Sequence, residues 1–389
     1  MKVVYLDNNA TTPLDRRVLE AMLPYFTERY ANPSSVYAIA KEVRRGIEEA
    51  REKVAKALVC DVGEIIFTGG GSESNNTVLK GVVSYNKGKG HIITSSVEHP
   101  AVLQVCKVLE KKGVAVTYLP VDDKGMVYPQ ELEKAFRDDT ILVSIMFANN
   151  ESGTINPVEE LGLLCKKKGV PFHTDAVQAV GKLPVNLKGL PVNFLSLSAH
   201  KFNGPKGVGV LFARKGTHFV PLIQGGHQEK NRRAGTENTA GIVGLGEALS
   251  LAVAEQKQEI VEVTRLRDML HNGVIERIND VRLLGHPTMR LPGTCTLAFK
   301  YLEGESILLS LDMEGICAST GSACSSGTLE ASHVYLAMGC SHEEAQGAVR
   351  FSLGRFNTEQ DVEYVLGKLP PIIKRLRDLS PLTPKGYNS

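Results

Sequence analysis

With 389 residues the chain can build about two or three cores rather than one small stapled module, because single domains commonly run to about 100–200 residues. Hydrophobic residues make up 42% and charged residues 23%, a globular profile that excludes disorder and fibrous repeats. Lys and Arg number 45 against 43 Asp and Glu, interleaved for a net charge of +2, so no basic face is offered to nucleic acid or to an anionic membrane.

No run of about eighteen residues lacks a formal charge, and the opening MKVVYLDNNATT carries Asp7 where a signal peptide needs its apolar stretch. The cysteines, at positions 60, 106, 165, 295, 317, 324 and 340, are odd in number, dispersed and without a C-x-x-C pair. That is the usage of free thiols in a reducing compartment, and a cytoplasmic protein is expected.

Residues 39–58 place Ile39, Val43, Ile47, Ala50, Val54 and Leu58 at helical spacing between charges, which predicts an amphipathic helix. Short apolar or β-branched runs follow at 64–68, 91–95, 114–119, 141–147, 170–174, 193–198 and 207–213. Helix-length stretches separate most of the early runs, so the pattern predicts an α/β fold with right-handed βαβ units and a mainly parallel seven-stranded sheet. Residues 199–206 are too few for a crossover helix, so the last two strands should run antiparallel. After about residue 255 come a long charged helix, strands near 281–284 and 294–299, and further helices, the pattern of a smaller α+β domain. Ser341 with Glu344, and Thr358 with Asp361, have the spacing of helix N-terminal capping boxes. The expected division is a large domain over 15–255 and a small one made of 1–14 and 256–389.

In such sheets ligands bind beyond the carboxyl ends of the strands. There the sequence places Gly69-Gly70-Gly71-Ser72-Glu73 at the start of a helix, where free N–H groups can cradle a phosphate. A plain Gly-rich turn is the competing reading. The loop is neither a Walker loop nor a dinucleotide fingerprint, whose third glycine is replaced by Ser74. The next strand ends bring Glu98 and His99, then Asn149 and Asn150, then Asp175 and Gln178, then Ser198-Ala199-His200-Lys201. Singly each reads as a solvated loop residue. Together a phosphate loop, an acid, a flat side chain and an amine describe a receptor for pyridoxal phosphate, the lysine forming the Schiff base and the acid pairing with the pyridine nitrogen.

Ten motifs then occur in order: LDNNATTP (6–13), NPSS (32–35), SESNN (72–76), SVEHPAV (96–102), ANNESG (148–153), TDAVQ (174–178), SLSAHKFNGPKG (196–207), RRAGTEN (232–238), STGSACSSG (319–327) and VRFSLGRFN (349–357). By them the chain resembles the cysteine desulfurases of the NifS and IscS type, class V members of the fold type I pyridoxal-phosphate enzymes. The resemblance implies that Lys201 holds the cofactor aldehyde and moves the Cα proton, that Asp175 meets the pyridine nitrogen, and that His99 stacks on the ring. It implies Asn150 and Gln178 near the ring hydroxyl and Gly71, Ser72, Ser198 and His200 at the phosphate. It implies a homodimer in which Thr236 reaches the neighbour's phosphate, and it puts Arg350, assisted by Asn32, on the carboxylate of L-cysteine.

Cys324 is the implied nucleophile, taking sulfur from L-cysteine as a persulfide and releasing alanine. Its small neighbours Ser322, Ala323, Ser325 and Ser326 favour a loop whose thiol is not blocked. An iron–sulfur scaffold of the NifU or IscU type is the implied acceptor, and the implied metal contact is transient ligation of a nascent cluster by Cys324. A structural zinc on Cys317, Cys324, His333 and Cys340 does not fit the usual short-paired spacing. Ser72 and Thr320 stand where relatives often carry Thr and Ser, each keeping a hydroxyl. The tail after Arg377 is shorter than in housekeeping relatives, and GGHQEKNRRAGTEN resembles the nitrogen-fixation branch. A selenocysteine lyase or an aminotransferase on the same fold is the rival reading.

Overall fold

The seven predicted strands form one sheet. In the computed structural model, which describes residues 3–320 and 331–387, they are β1 (Ile65–Thr68), β2 (His91–Ser95), β3 (Ala115–Leu119), β4 (Thr140–Ser144), β5 (Phe172–Asp175), β6 (Phe194–Ser198) and β7 (Gly209–Ala213), in spatial order β1-β7-β6-β5-β4-β2-β3. Strands β3, β2, β4, β5 and β6 are parallel neighbours, and β7 runs antiparallel to both β6 and β1. The short β6–β7 link thus reverses one strand, as its length requires. The run 141–147 leaves the ladder early: β4 ends at Ser144, although Ile145 and Phe147 still donate to the carbonyls of His173 and Asp175.

Helices cover the sheet because its strands are apolar toward both faces. The first, α1 (Ala38–Leu58), buries Val43, Ile47, Ala50, Val54 and Leu58 of the predicted stripe and half-buries Ile39, each of the buried Val, Ile and Leu side chains contributing up to about 1.5–3 kcal/mol. Helices α2 (Gly71–Tyr85) and α3 (Pro100–Glu110) begin directly beyond β1 and β2. Helix α4 (Thr239–Arg277) packs so closely on α1 that a Cβ at Gly246 would lie 2.9 Å from the Ala50 Cα.

The charged helix expected after 255 is the second half of α4, and the chain crosses residue 255 without a break. Leu245, Ala248, Leu249 and Ala252 belong to the core beneath the large sheet, whereas Val263, Leu266, Leu270 and Val274 join Val4, Leu6, Leu297 and Phe351 in a second core. That second core is backed by an antiparallel sheet of β8 (Val281–Leu284), β9 (Thr294–Phe299) and β10 (Ala348–Ser352), ordered β10-β9-β8. Ser341 Oγ accepts from the Glu344 N–H at 3.1 Å. The Thr358–Asp361 box is complete and opens the terminal helix α5 (Glu359–Leu379).

The amino-terminal segment links both parts. Val4–Tyr5 pair with Ile316–Cys317, Asp7 bridges to Ser352, and Thr12 donates its N–H to the His200 carbonyl at 2.9 Å. This route lays Asn9 and Ala10 against Lys201. Among the described residues no helix is long and apolar enough to cross a membrane.

Candidate active site

A cavity of about 290 Å³ opens at the carboxyl ends of the strands, lined by Asn9, Ala10, Gly71, Ser72, Asn75, His99, Met146, Ala148, Asn150, Asp175, Val177, Gln178, Ser198, His200, Lys201 and Arg350. A second space of about 400 Å³ adjoins it, sharing Gly71, Ser72, Ser198 and His200 and adding Lys206 and Gly207. Strand ends and helix starts alternate around this crevice, so side chains far apart in sequence meet there.

Helix α2 aims its amino terminus at the shared wall. Gly70 adopts φ 145°, accessible to glycine, and a Cβ on Gly71 would lie 2.5 Å from Val177 Cγ2. The first helical N–H groups therefore face the space with no side-chain cap from Gly70. Glu73 in this first turn would repel an anion, but it is held by Gly69 N–H at 2.8 Å and by Arg233 at 2.9 Å.

At the end of β5, Asp175 is 5% exposed. Its Oδ2 accepts from Asn75 Nδ2 at 2.6 Å and its Oδ1 from Val177 N–H at 3.0 Å, so the carboxylate is fixed while each oxygen keeps a lone pair for a further donor. Asn75 Oδ1 stays buried without a partner. His99 caps α3, its Nδ1 accepting from Ala101 N–H at 3.1 Å. Burial holds the His99 ring below its ordinary pKa, Asp175 opposing and Lys201 and His333 adding to the fall. The hydrogen bond then assigns the ring as neutral with its proton on Nε2. His200 is pushed down to about 4 by burial and by Lys201, Lys206 and Lys182, and its Nδ1 lies 3.1 Å from Thr11 Oγ1.

The turn Ala199–Lys201 after β6 carries Lys201, whose Nζ donates to the carbonyls of Asn9 and, at 2.7 Å, Ala10. Arg350 sits on β10, 2% exposed, with Nη1 donating to the Asn150 carbonyl at 2.9 Å and Nη2 paired with Asp7 at 2.8 Å. Its Nε is buried without a partner, so that N–H of the fork is left for a ligand. Gln178 donates to the Asn9 carbonyl at 2.9 Å and accepts from Lys182 at 2.8 Å.

Buried acids hold the loops that carry these groups. Glu98 accepts from Ser95 Oγ and from Met146 N–H at 2.9 Å, and burial pushes its carboxyl up to about 8. Glu151 is likewise pushed up to about 7 by burial and accepts from the Ser332 hydroxyl.

Of the residues named from the sequence, Gly71, Ser72, His99, Asn150, Asp175, Gln178, Ser198, His200, Lys201 and Arg350 line this one space. Asn32 and Thr236 do not. Both are exposed, and the Asn32 Oδ1 accepts from Ser34 N–H at 2.9 Å. They flank instead a groove of about 540 Å³ lined by Pro33, Ser34, Arg51, Gly226, Glu229 and Glu237 among others. Cys324 lies outside the described residues. Cys317, His333 and Cys340 are apart: Cys317 pairs with Tyr5, His333 Nε2 donates to the Glu98 carbonyl at 3.0 Å, and Cys340 packs with Val334 and Tyr335.

Asn9, Asn75 and Lys182 were missed as site residues. Asn75 has a signal, because residues i and i+4 share a helix face and Gly71 and Asn75 are so spaced. Asn9 has none beyond its place in LDNNATTP.

The residues fit pyridoxal phosphate on the structure's own terms. The Gly71 cradle leaves no room for a Cβ, the uncapped helix start supplies anion donors, the fixed Asp175 carboxylate can accept from a pyridinium, and Lys201 offers an amine in the same space.

A family model described as Aminotransferase class-V matches residues 4–365. The chain is 54% identical over 389 residues to "Cysteine desulfurase IscS" of Methanosarcina thermophila, covering 100% of this chain and 96% of that protein. A solved structure named "NIFS-LIKE PROTEIN" superposes with a TM-score of 0.91 at 43% identity, covering 96% of this chain and 100% of its own. Another, "SspA in complex with cysteine", gives a TM-score of 0.80 at 35% identity over 91% of this chain and 99% of its own.

Proposed function

We propose that this chain, which belongs to the class-V aminotransferase family and within it to the cysteine desulfurases, removes sulfur from L-cysteine with pyridoxal phosphate and passes it onward from Cys324. The supporting observation is the convergence of Lys201, Asp175, His99, Arg350 and the Gly71 cradle on one space. Gly71, Ser72, Ser198 and His200 would hold the phosphate, Asp175 the pyridine nitrogen, and Lys201 the aldehyde carbon. When bound, the cofactor supplies an electron sink for charge developing at the substrate Cα.

The chain's own groups do the rest. Arg350 takes the substrate carboxylate, offering its unpaired Nε–H and exchanging the Asp7 bond at Nη2. Lys201 Nζ accepts the Cα proton, and the neutral His99 ring holds a proton on Nε2 toward the reacting atoms. The Cys324 thiolate attacks the substrate sulfur: the C–S bond breaks, an S–S bond forms on Cys324, Cβ gains a proton, Lys201 returns a proton to Cα, and alanine leaves. The rival aminotransferase reading has no use for Cys324.

A second copy of the chain completes the cofactor site. Thr236 is exposed, and Phe26, Tyr30, Val36 and Tyr37, on either side of Asn32 in sequence, are 59%, 72%, 86% and 54% exposed. Burying such apolar surface favours association, and the partner copy's Thr236 would then reach this chain's phosphate cradle. The sulfur acceptor is an iron–sulfur scaffold of the NifU or IscU type, in the cytoplasm. Supply to nitrogenase is a further proposal, resting on GGHQEKNRRAGTEN.

The test is a single turnover without reductant. Incubated with cysteine, the holoenzyme should gain one sulfur atom on Cys324 by peptide mass, with one alanine released per sulfur. Alanine without a sulfur on that peptide rejects the assignment.

A further inference from the structure

Two lysines converge on Asn9, which is 3% exposed. Lys201 donates to its main-chain carbonyl, while Lys182 donates to its Oδ1 at 3.2 Å and to Gln178 Oε1 at 2.8 Å. Gln178 Nε2 closes the circuit on the same Asn9 carbonyl at 2.9 Å. Lys182 does not line the front cavity. It lines a rear space of only about 30 Å³, bordered also by Lys201, Phe202, Gln256 and Glu259, which is too small for a substrate. Its ammonium therefore acts on Lys201 and not on a ligand.

We propose that Lys182 is a positioning residue for Lys201, a second cation on Asn9 that fixes the carbonyl receiving the Lys201 ammonium and drives that amine toward its neutral form. A like charge in a partly desolvated site favours the unprotonated amine, and activation of a lysine by a cationic neighbour is an established chemical device. The neutral amine is the form that adds to an aldehyde carbon, with a C–N bond made, water lost and nothing oxidised. It is also the form that accepts a Cα proton.

Other charged groups face Lys201 as well: His99, Asp175 and Arg350 around the front cavity, Glu259 and Arg355 around the rear one, and His200 on its own turn. The interaction is felt in return, since burial first and then Lys201 push the Lys182 ammonium down from its ordinary pKa, with Glu259 opposing and Arg350 adding to the fall. The pair thus titrates as a coupled unit.

The inference rests on Lys201 being the cofactor lysine, but its test reads the amine alone. The cofactor-free full chain is labelled with trace acetic anhydride from pH 6 to 11, and each lysine's labelling midpoint is read by peptide mass spectrometry. Lys182→Met and Lys182→Gln should raise the Lys201 midpoint by about one unit, which is about tenfold less label below the midpoint. Lys182→Arg, a permanent cation, should keep it at or below wild type. By reciprocity Lys201→Ala should raise the Lys182 midpoint by a similar amount, which tests the coupling even if the Lys182 variants fold poorly. An unmoved Lys201 midpoint in folded Met or Gln variants, or an unmoved Lys182 midpoint in Lys201→Ala, overturns the proposal. Coupling without desulfuration would sink only the functional reading, and desulfuration without coupling would sink only this inference.

Discussion

Removing the Glu229 carboxylate should cost more stability than almost any other single surface-loop change. Glu229 accepts from Arg51 Nη2 at 2.7 Å, Arg51 Nη1 at 2.8 Å and Phe67 N–H at 3.0 Å, and the two side chains are 3% and 7% exposed. Breaking a buried pair by deleting one partner typically costs about 3–5 kcal/mol, because the remaining charge is left uncompensated. Arg51 would retain the Ile65 carbonyl and Glu48, both at 3.2 Å, and the face of Phe67, which places the loss near the lower end. The orphaned Phe67 N–H adds about 1 kcal/mol, for a total of about 3–4 kcal/mol in Glu229→Ala. Glu229, Lys230 and Asn231 also hold left-handed φ values of 47°, 57° and 65°, and this ion pair anchors that strained turn. Urea unfolding of the chain, with an unchanged slope, measures the loss. The double variant Arg51→Met, Glu229→Met, which removes both charges and refills the volume, should be far closer to wild type. A loss below about 1 kcal/mol in Glu229→Ala, or a double variant as unstable as the single, refutes the reasoning.

Gly71→Ala forces a Cβ within 2.5 Å of Val177 Cγ2, an overpacking worth about 1–3 kcal/mol, and should weaken pyridoxal phosphate binding in a titration of the cofactor-free chain. Gly63→Ala, whose Cβ meets nothing within 4 Å, is the matched control and should bind as wild type. Burial raises the Glu98 carboxyl from 4.5 to about 8, so between those values the folded chain binds more protons than the unfolded one. Stability from this group is therefore complete below about pH 4.5 and lost as pH rises through about 8. Glu98→Gln should flatten that part of the decline in denaturation midpoints taken from pH 5 to 9, and a wild-type-like slope in the variant would contradict the assignment.

The sheet was legible because alternating strand and helix lengths constrain a parallel topology, and the eight residues 199–206 left no room for a crossover before β7. Most of the crevice followed from reading the residues after each strand. Less visible was the path of residues 3–12, whose pairing with 316–317 and 352 is decided by tertiary packing and carries no local period; hence Asn9 went unassigned. Lys182 reads in sequence as an ordinary charged residue after Gly181, and only the shared Asn9 reveals what it faces. The 255 boundary was read from a change in regularity, whereas α4 runs through it because each half has its own core to cover. Asn32 and Thr236 were expected near the site from resemblance alone, and the single chain leaves both in solvent, so nothing in its own packing draws them to the crevice.

The most direct measurement is the yield of alanine and sulfide from L-cysteine, with a reductant present, for the wild-type holoenzyme, Lys201→Ala and Cys324→Ala. Equal amounts from wild type, and neither product from either variant, are the predicted result. Undiminished alanine and sulfide from Cys324→Ala, or turnover by Lys201→Ala, would contradict the assigned division of labour between the lysine and the thiol.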